Sequence, residues 1–329
     1  MNKKNRQIKK IAALLLMGNI QSWAKAVKLK NKIMPDKLYH YRSVAAAENK
    51  DRLQWLIDVL EKGQIYCSPN DELNDPFDMR SVLSSKEPSF YTNTMSSYFD
   101  NNSEWFNFFR FSKFAKLFFS FQFSRNGISK EEIIVFNEQY DKLFIRPVEE
   151  LSLQHDDFLK SLRIACFSES CESLPMWWFY ADERRGVCLE YDVNKLEDKT
   201  KLFTFPVNYT RLLPDVIRLL HKLDTTSTEM DNTFNWFIST GVFPCIHKFS
   251  DWSYEKEWRY IMLNQENVFV NSPVRIILGD RVEESMKSKL LAVAHKKGII
   301  VAQIKITPYG LIQENISDFI PTQKEVSCP

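Results

Sequence analysis

The stretch SDWSYEKEWRYIM, residues 250–262, holds two glutamates two positions apart, surrounded by aromatic residues and followed by an arginine. Side chains alternate along a strand, so a strand here would place Glu255, Glu257 and Arg259 on the same face. Two carboxylates that close repel each other unless a cation or a ligand lies near them. The stretch is therefore either a solvated strand face, with Arg259 as the partner of both glutamates, or a carboxylate pair that serves a chemical purpose.

The composition is typical of a globular protein with one large domain or two small ones. The chain has 329 residues, of which 44% are hydrophobic and 26% are charged, and this is enough for an ordinary core. Only 8 glycines are present against 25 phenylalanines, and neither G-x-G-x-x-G nor G-x-x-x-x-G-K-[ST] occurs. The pattern argues against a glycine-rich phosphate loop.

The 6 cysteines are scattered along the chain without a C-x-x-C pair, and several lie in apolar runs such as IACFS. A cysteine in such a run behaves as a small hydrophobic residue. We therefore expect free thiols, no metal site and a cytoplasmic protein.

Positive charge is concentrated at the N-terminus. Residues 1–37 contain ten Lys or Arg and a single acid, Asp36, so this segment carries a net charge of +9. Since the whole chain carries +2, the remainder carries −7. A signal peptide is one interpretation, but the apolar run IAALLLMG is short and NIQSWAKAVKLK follows it. Residues 1–34 are better interpreted as a basic helical arm that docks on the body or on a protein or nucleic-acid partner, with a membrane contact as a further alternative. No segment is long and apolar enough to predict a transmembrane span.

The pattern of residues 35–329 predicts a single α+β domain. KLYHYRSV and QIYCSP predict strands, ENKDRLQWLIDVLEKG predicts a helix that ends at Gly63, and NDELNDPFD predicts a loop. Later strands do not alternate strictly with helices, which disfavours a doubly wound parallel sheet. The region of about 85–160 is rich in phenylalanine and predicts a helical insertion, whose apolar stripe is either core or a contact between the subunits of a homo-oligomer.

Four short stretches carry polar and aromatic side chains for which a packed fold has little structural use. LYHYRS, YCSPNDELNDPFD, CFSESCESLPMWWFYADERRGVCLEY and WSYEKEWR together offer a cationic strand face, an aromatic helix and the glutamate pair. Such a set suits an anionic, aromatic ligand, as a dinucleotide is. The candidate ligand-binding residues are His40, Tyr41, Arg42, Ser68, Asn74, Asp75, Trp177 and Tyr180.

Each of these residues also has a purely structural interpretation. His40 is then a hydrogen-bonded imidazole of the core, Asn74 and Asp75 cap and turn the chain, and Trp177 is ordinary core.

The motifs Y-x-Y-R, N-D-P-F-D, C-F-S, M-W-x-x-Y and E-x-E-W-R occur in this order within residues 38–306 and resemble a bacterial family of unknown function found near phage-defence genes. The same order is similar to the AbiGi abortive-infection proteins and, more distantly, to DarT-type ADP-ribosyltransferases. The corresponding pieces are His40, VLEKG at residues 59–63, CFS at residues 166–168 and the two glutamates. The resemblance implies an ADP-ribosyltransferase-like split β-sandwich, in which two small antiparallel sheets hold NAD in a cleft.

The resemblance also implies roles for the residues. NAD would be consumed as a substrate, with Glu257 hydrogen-bonded to the ribose 2′-hydroxyl and Glu255 orienting or deprotonating the acceptor. His40 or Arg42 would hold the adenosine ribose and the pyrophosphate, and Trp177 or Tyr180 would stack on a base. The implied function is an ADP-ribosyltransferase or NAD glycohydrolase that needs no metal and acts in phage defence or as a toxin.

Two other functions stay open. A non-catalytic module would use the cleft to sense a nucleotide and the basic arm to engage a partner. A metal-dependent nuclease would hold Mg²⁺ between Asp75, Asp78, Glu255 and Glu257, because paired carboxylates suit hard cations. We rank the nuclease last.

Overall fold

The computed structural model describes residues 3–44, 50–69, 72–75, 77–78, 129–131, 134–135, 138, 157–214, 237–264 and 267–316. Within these residues, no helix has the length and apolar character needed to cross a membrane. The predicted insertion at about 85–160 lies almost entirely outside the described residues, so its helical fold and its subunit contact stay predictions.

The N-terminal arm is a helical hairpin. Its helices are α1 (Lys3–Leu16) and α2 (Ile20–Asn31), joined through Gly18, whose φ of +63° suits a residue without a side chain. Asn19 caps α2, because its side-chain oxygen accepts a hydrogen bond from the Ser22 amide at 2.9 Å.

The hairpin docks on the body through its apolar faces. The side chains that it buries in a common cluster with the body are Ile11, Ala12, Leu15, Trp23 and Ala26. The Trp23 ring lies 5.1 Å from the Phe205 ring, centroid to centroid. The arm therefore contributes to a core instead of extending from the body.

The body is built from short elements whose order is mixed along the chain. The strands are β1 (Lys37–Arg42), β2 (Gln64–Tyr66), β3 (Leu162–Ser168), β4 (Val187–Asp192), β5 (Thr204–Pro206), β6 (Asn208–Thr210), β7 (His247–Phe249), β8 (Glu257–Leu263), β9 (Asn267–Phe269), β10 (Arg275–Leu278), β11 (Ile300–Thr307) and β12 (Gly310–Asn315). The helices are α3 (Lys50–Lys62), α4 (Leu174–Phe179), α5 (Asp198–Leu202), α6 (Phe243–Cys245) and α7 (Glu284–Lys297), with 3₁₀ turns at Val193–Lys195 and Ser250–Glu255 and a π-helical segment at Phe237–Val242.

Helix α3 ends as the sequence predicts. Gly63 follows its last residue with a φ of +65°, and the Gly63 amide donates a hydrogen bond to the Val59 carbonyl at 2.9 Å. This left-handed glycine is a common end of helices.

Eight of the described strands form one mixed sheet in the order β12-β11-β10-β4-β1-β3-β8-β5. Neighbouring strands are antiparallel except β10 and β11, which are parallel and connected by α7. The α+β class is confirmed. The sheet is continuous, whereas the resemblance implies two small sheets; β1 pairs with β4 on one edge and with β3 on the other, and this joins the two halves.

The two faces of the sheet pack against different helices. Helices α3 and α7 contribute Leu56, Leu60 and Leu290 to a cluster that also holds Leu38 of β1. On the opposite side of β1, Tyr41 packs with Trp177 of α4, because successive side chains of a strand point to opposite faces.

Candidate functional site

Three neighbouring strands bring the motif residues to one end of the sheet. Strand β3 lies between β1 and β8, and the register places Tyr39 beside Ser168 and Ser168 beside Glu257. The histidine-bearing strand, the C-F-S strand and the glutamate-bearing strand are therefore adjacent, although they come from distant parts of the sequence.

The prediction that Glu255 and Glu257 share a strand is wrong. Glu255 is the last residue of the 3₁₀ turn, and Lys256 adopts a left-handed conformation with φ of +47°. Strand β8 begins only at Glu257. The two carboxylates nevertheless meet, because both are directed at the ammonium of Lys248 on β7.

Lys248 is the centre of a buried charge cluster. Its Nζ lies 2.6 Å from Glu255 Oε2, 3.4 Å from Glu257 Oε2 and 3.4 Å from Asp78 Oδ2. The ammonium also lies 4.9 Å from the centroid of the Trp252 ring. A single cation thus links three carboxylates.

Arg259 is the second cation of the cluster. Its Nε and Nη2 donate to the two oxygens of Glu257 at 2.8 and 2.9 Å, and its Nη1 and Nη2 donate to the two oxygens of Asp78 at 2.6 Å each. Nη1 also donates to the Cys245 carbonyl at 2.7 Å. In one interpretation of the sequence, Arg259 is the partner of both glutamates. In the structure it pairs with Glu257 and Asp78, because Lys248 occupies the position next to Glu255.

The charge cluster separates the pKa values of the two glutamates. Burial and the neighbouring Glu257 raise the pKa of Glu255 to about 7, against the opposing effect of Lys248. Burial acts in the same direction on Glu257, but Arg259 and Lys248 outweigh it and lower the pKa of Glu257 well below its ordinary value. At neutral pH, Glu257 is ionised and Glu255 is close to its titration midpoint.

Two tyrosines and a serine fix the geometry of the pair. Tyr180, just after α4, donates its hydroxyl hydrogen bond to Glu255 Oε1 at 2.5 Å. The backbone amide of Glu257 donates to the Tyr209 hydroxyl at 2.9 Å. Ser168 Oγ donates to the Glu255 carbonyl at 2.6 Å. Each glutamate is therefore held by its side chain and by its backbone.

The carboxylates line the inner wall of a cavity of about 510 Å³. This volume is within the range of small-molecule sites. The end of β1 and α3 also line the cavity, with Arg42, Arg52 and Trp55. We call the glutamates the acidic wall of the cavity, and Arg42, Arg52 and Trp55 its basic, aromatic wall.

Arg42 is a cation without an acidic partner in the described part of the chain. Its Nε donates to His40 Nε2 at 2.7 Å, and its guanidinium carbon lies 4.2 Å from the centroid of the Trp55 ring. Burial lowers the pKa of Arg42 to about 10, and the nearby Arg52 acts in the same direction. A guanidinium in this setting favours an anionic ligand in the cavity.

His40 is a neutral hydrogen-bonded imidazole. Its Nδ1 lies 2.8 Å from the Cys166 carbonyl, and its Nε2 accepts from Arg42. Burial, and then the charge of Arg42, lower its pKa to about 3. Since Nε2 accepts, the proton is on Nδ1 and donates to the carbonyl. These hydrogen bonds agree with the structural interpretation of His40, in which the imidazole holds the Arg42 side chain in place.

Most of the predicted site residues lie together. The cavity is lined by His40, Tyr41, Arg42, Ser68, Asn74, Tyr180, Glu255 and Glu257. Trp177 and Asp75 are outside the lining. Trp177 is buried and donates through Nε1 to the Cys171 carbonyl at 2.8 Å, and Asp75 Oδ1 accepts from the Phe77 amide at 2.9 Å, as in a turn. These contacts agree with their structural interpretations.

Sequence reasoning missed Lys248, Tyr209 and the pair Arg52 and Trp55. The signal for Lys248 is its position between His247 and Phe249 in an apolar run, where a buried lysine needs acidic partners. The other three carry no local signal, because only the packing of α3 and β6 brings them to the site.

In the nuclease alternative, Mg²⁺ would have to compete with two cations for the carboxylates of the cluster. Lys248 and Arg259 already hold Asp78, Glu255 and Glu257, so two fixed cations occupy the position that Mg²⁺ would need. In the described ranges, no group of three or more His, Cys, Asp or Glu is arranged to hold a metal ion.

Comparison with known proteins gives one partial likeness. The family model described as "Protein of unknown function (DUF2971)" matches residues 176–260. No curated protein and no solved structure matches the chain. The matched segment includes Tyr180, Lys248 and both glutamates, and it agrees with the predicted resemblance to a domain family of unknown function. Over these residues, which include the acidic wall of the cavity, the chain is similar to an uncharacterised domain family.

Proposed function

We propose that the protein consumes NAD, as an ADP-ribosyltransferase or an NAD glycohydrolase. The observation that carries the proposal is the arrangement of the cavity. Glu255 and Glu257 form one wall, and Arg42, which has no acidic partner among the described residues, lies on the other. A dinucleotide has a matching distribution of chemistry, because a pyrophosphate anion separates two ribosides that carry aromatic bases.

Glu257 supplies the fixed negative charge. Cleavage of the bond between nicotinamide and ribose C1′ leaves its electron pair on the nicotinamide nitrogen, and positive charge develops on the ribose. An ionised carboxylate at the ribose 2′-hydroxyl stabilises this charge. Arg259 and Lys248 keep Glu257 ionised, and Glu257 lines the cavity in which a ribose hydroxyl would lie.

Glu255 supplies a general base. A pKa of about 7 lets the carboxylate accept a proton near neutral pH. The acceptor oxygen forms the new bond to C1′, and its proton goes to Glu255. With water as the acceptor the reaction is NAD hydrolysis, and with a macromolecular hydroxyl it is ADP-ribosylation.

The second wall supplies binding. Arg42 would pair with the pyrophosphate by charge-assisted hydrogen bonds, and Tyr180 would lie against a base or ribose. The adjacency of β1, β3 and β8 agrees with the order of motifs in the resemblance to AbiGi and DarT-type proteins, although the sheet is continuous instead of split in two. A role in phage defence or as a toxin follows from the same resemblance and belongs to this proposal.

A nucleotide sensor is the second candidate. Arg259 engages both oxygens of the Glu257 carboxylate, and this is compatible with a purely structural role of Glu257. The observation favours a sensor, because a sensor needs no catalytic carboxylate. A sensor would bind the dinucleotide without cleaving it.

The experiment is to incubate the purified protein with NAD and to follow free nicotinamide by chromatography and NAD binding by calorimetry. We expect binding and release in the wild type, and weaker binding by about 10-fold or more in Arg42→Gln. The matched control is Arg281→Gln, which removes an exposed arginine and should bind like the wild type. Binding without release would support the sensor, and absence of binding would contradict both functions.

A further inference from the structure

The outer face of the N-terminal hairpin is strongly basic. Helices α1 and α2 bury their apolar sides in the body, so their other sides face solvent. No Asp or Glu occurs in residues 1–35. The exposed cations of the hairpin are Lys3, Arg6, Lys9, Lys10, Lys25, Lys28 and Lys32.

The exposed cations form two stripes. Lys3, Arg6 and Lys10 recur at positions i, i+3 and i+7 of α1. Lys25 and Lys28 of α2 and Lys32, which caps the end of α2, repeat this spacing. Residues at these intervals lie on the same side of a helix. The ends of each stripe are seven residue steps apart, or about 10 Å at 1.5 Å per residue.

These cations have no acidic partners among the described residues. Lys4 differs, because it pairs with Glu169 at 2.5 Å, and Lys30 differs, because it is buried and donates to the Leu202 carbonyl at 3.1 Å. Surface charge is usually balanced by nearby charge of the opposite sign. Here the hairpin is unbalanced although the remainder of the chain carries −7.

We propose that this basic face of the hairpin docks on the phosphate backbone of a nucleic acid duplex. Phosphates on a duplex are regularly spaced at fixed positions, and a stripe of about 10 Å matches about three base-pair steps. Because the hairpin is packed into the core, its cations keep their positions, and less conformational entropy is lost on binding than for a flexible tail. The negative charge of the body would orient the hairpin toward the polyanion.

A membrane surface fits the hairpin less well. A helix that lies on a bilayer inserts its apolar face among the lipids. The apolar faces of α1 and α2 are occupied by the body, and the exposed large hydrophobic residues of the hairpin are Met17 and Ile20 at its turn. Neither face of the hairpin therefore offers an apolar stripe for insertion.

This proposal is independent of NAD chemistry and is tested with the full-length protein and a 20-base-pair DNA duplex. Two triple variants remove one stripe each: Lys3→Gln with Arg6→Gln and Lys10→Gln, and Lys25→Gln with Lys28→Gln and Lys32→Gln. The matched control removes three exposed lysines elsewhere, Lys195, Lys289 and Lys296. Thermal denaturation checks that all variants are folded.

We expect duplex binding that weakens steeply with salt. Neutralised phosphates give a slope of about −0.9 per contact in a plot of log K against log salt concentration, so each stripe variant should reduce the steepness by about 2 to 3. The control should bind like the wild type. Equal binding by stripe variants and control, absence of duplex binding in 50 mM salt, or binding to vesicles containing phosphatidylserine but not to the duplex would each overturn the proposal.

Discussion

The ammonium of Lys248 lies 2.6 Å from Glu255 Oε2, in a buried cluster that contains one more carboxylate than cations. Asp78, Glu255 and Glu257 face Lys248 and Arg259. Arg259 pairs with Asp78 and Glu257, so Glu255 is left with Lys248 as its cation. Burial, and then the charge of Glu257, raise the pKa of Glu255 to about 7. A group that titrates at neutral pH is thereby placed on a cavity wall.

Replacing Glu255 by Gln should change stability in a pH-dependent way. The pKa of Glu255 is about 7 in the folded protein, above about 4.3 for an unfolded glutamate, so the native state holds an extra proton between these pH values. The free energy of unfolding therefore falls as pH rises through this window. Because Gln resembles the protonated acid, Glu255→Gln should melt like the wild type at pH 5 and higher by roughly 2–5 °C at pH 8. A lower melting temperature at pH 8 would refute the raised pKa.

Removing the Tyr180 hydroxyl should shift the pH dependence of activity. Tyr180 donates to the Glu255 carboxylate and so stabilises its ionised form. In Tyr180→Phe, the pKa of Glu255 should rise by about 1 unit, and the acidic limb of the pH–rate profile should move up by the same amount. Tyr254→Phe is the control, because Tyr254 makes no hydrogen bond to the carboxylate oxygens in the described structure. An unchanged limb in Tyr180→Phe would exclude Glu255 as the titrating base.

Breaking the Arg259–Asp78 pair should be costly. Both residues are buried, and their two hydrogen bonds of 2.6 Å join segments 181 residues apart in sequence. Asp78→Asn leaves a buried guanidinium with less compensating charge, and we expect a loss of about 3 kcal/mol in urea denaturation. Asp58→Asn, which removes the exposed partner of Lys62, should have no measurable effect. Similar curves for the two variants would show that the cluster does not stabilise the fold.

Truncating Trp23 should destabilise the whole protein. Its side chain is buried between α2 and β5 and packs on Phe203 and Phe205. Trp23→Ala should cost about 3–5 kcal/mol, because it removes a large buried side chain and leaves a cavity. Met17→Ala, at the exposed turn of the hairpin, is the control. A Trp23→Ala protein with wild-type stability would mean that the hairpin is a separable arm.

Features set by local pattern were predictable from the sequence. Gly63 ends α3 because a residue without a side chain readily adopts a positive φ. His40 and Arg42 lie on the same face of β1, where they form a hydrogen bond, because side chains alternate along a strand. The conformation of Lys256 was not predictable, since lysine has no preference for the left-handed region.

The centre of the candidate site depends on contacts between distant segments. Asp78 reaches Arg259 across 181 residues, and Lys248 enters the cluster from a strand of three residues. The alternation of side chains along one strand suggested Arg259 as a partner of both glutamates. Such a pattern carries no information about a residue on another strand, such as Lys248 on β7. The sequence therefore pointed to the carboxylate pair but not to the lysine that it shares.

The proposed consumption of NAD, with Glu257 as the fixed negative charge, is tested by the release of nicotinamide from NAD by the wild type and by Glu257→Gln. Near-ultraviolet circular dichroism must first show that the variant is folded, because Glu257 is also a partner of the buried Arg259. Glu172→Gln, which changes an exposed glutamate, is the matched control. We expect release by the wild type and the control, and a rate lower by about 10²–10³-fold in Glu257→Gln, as for the loss of one electrostatic contact to a transition state. Undiminished release by a folded Glu257→Gln protein would contradict the proposal.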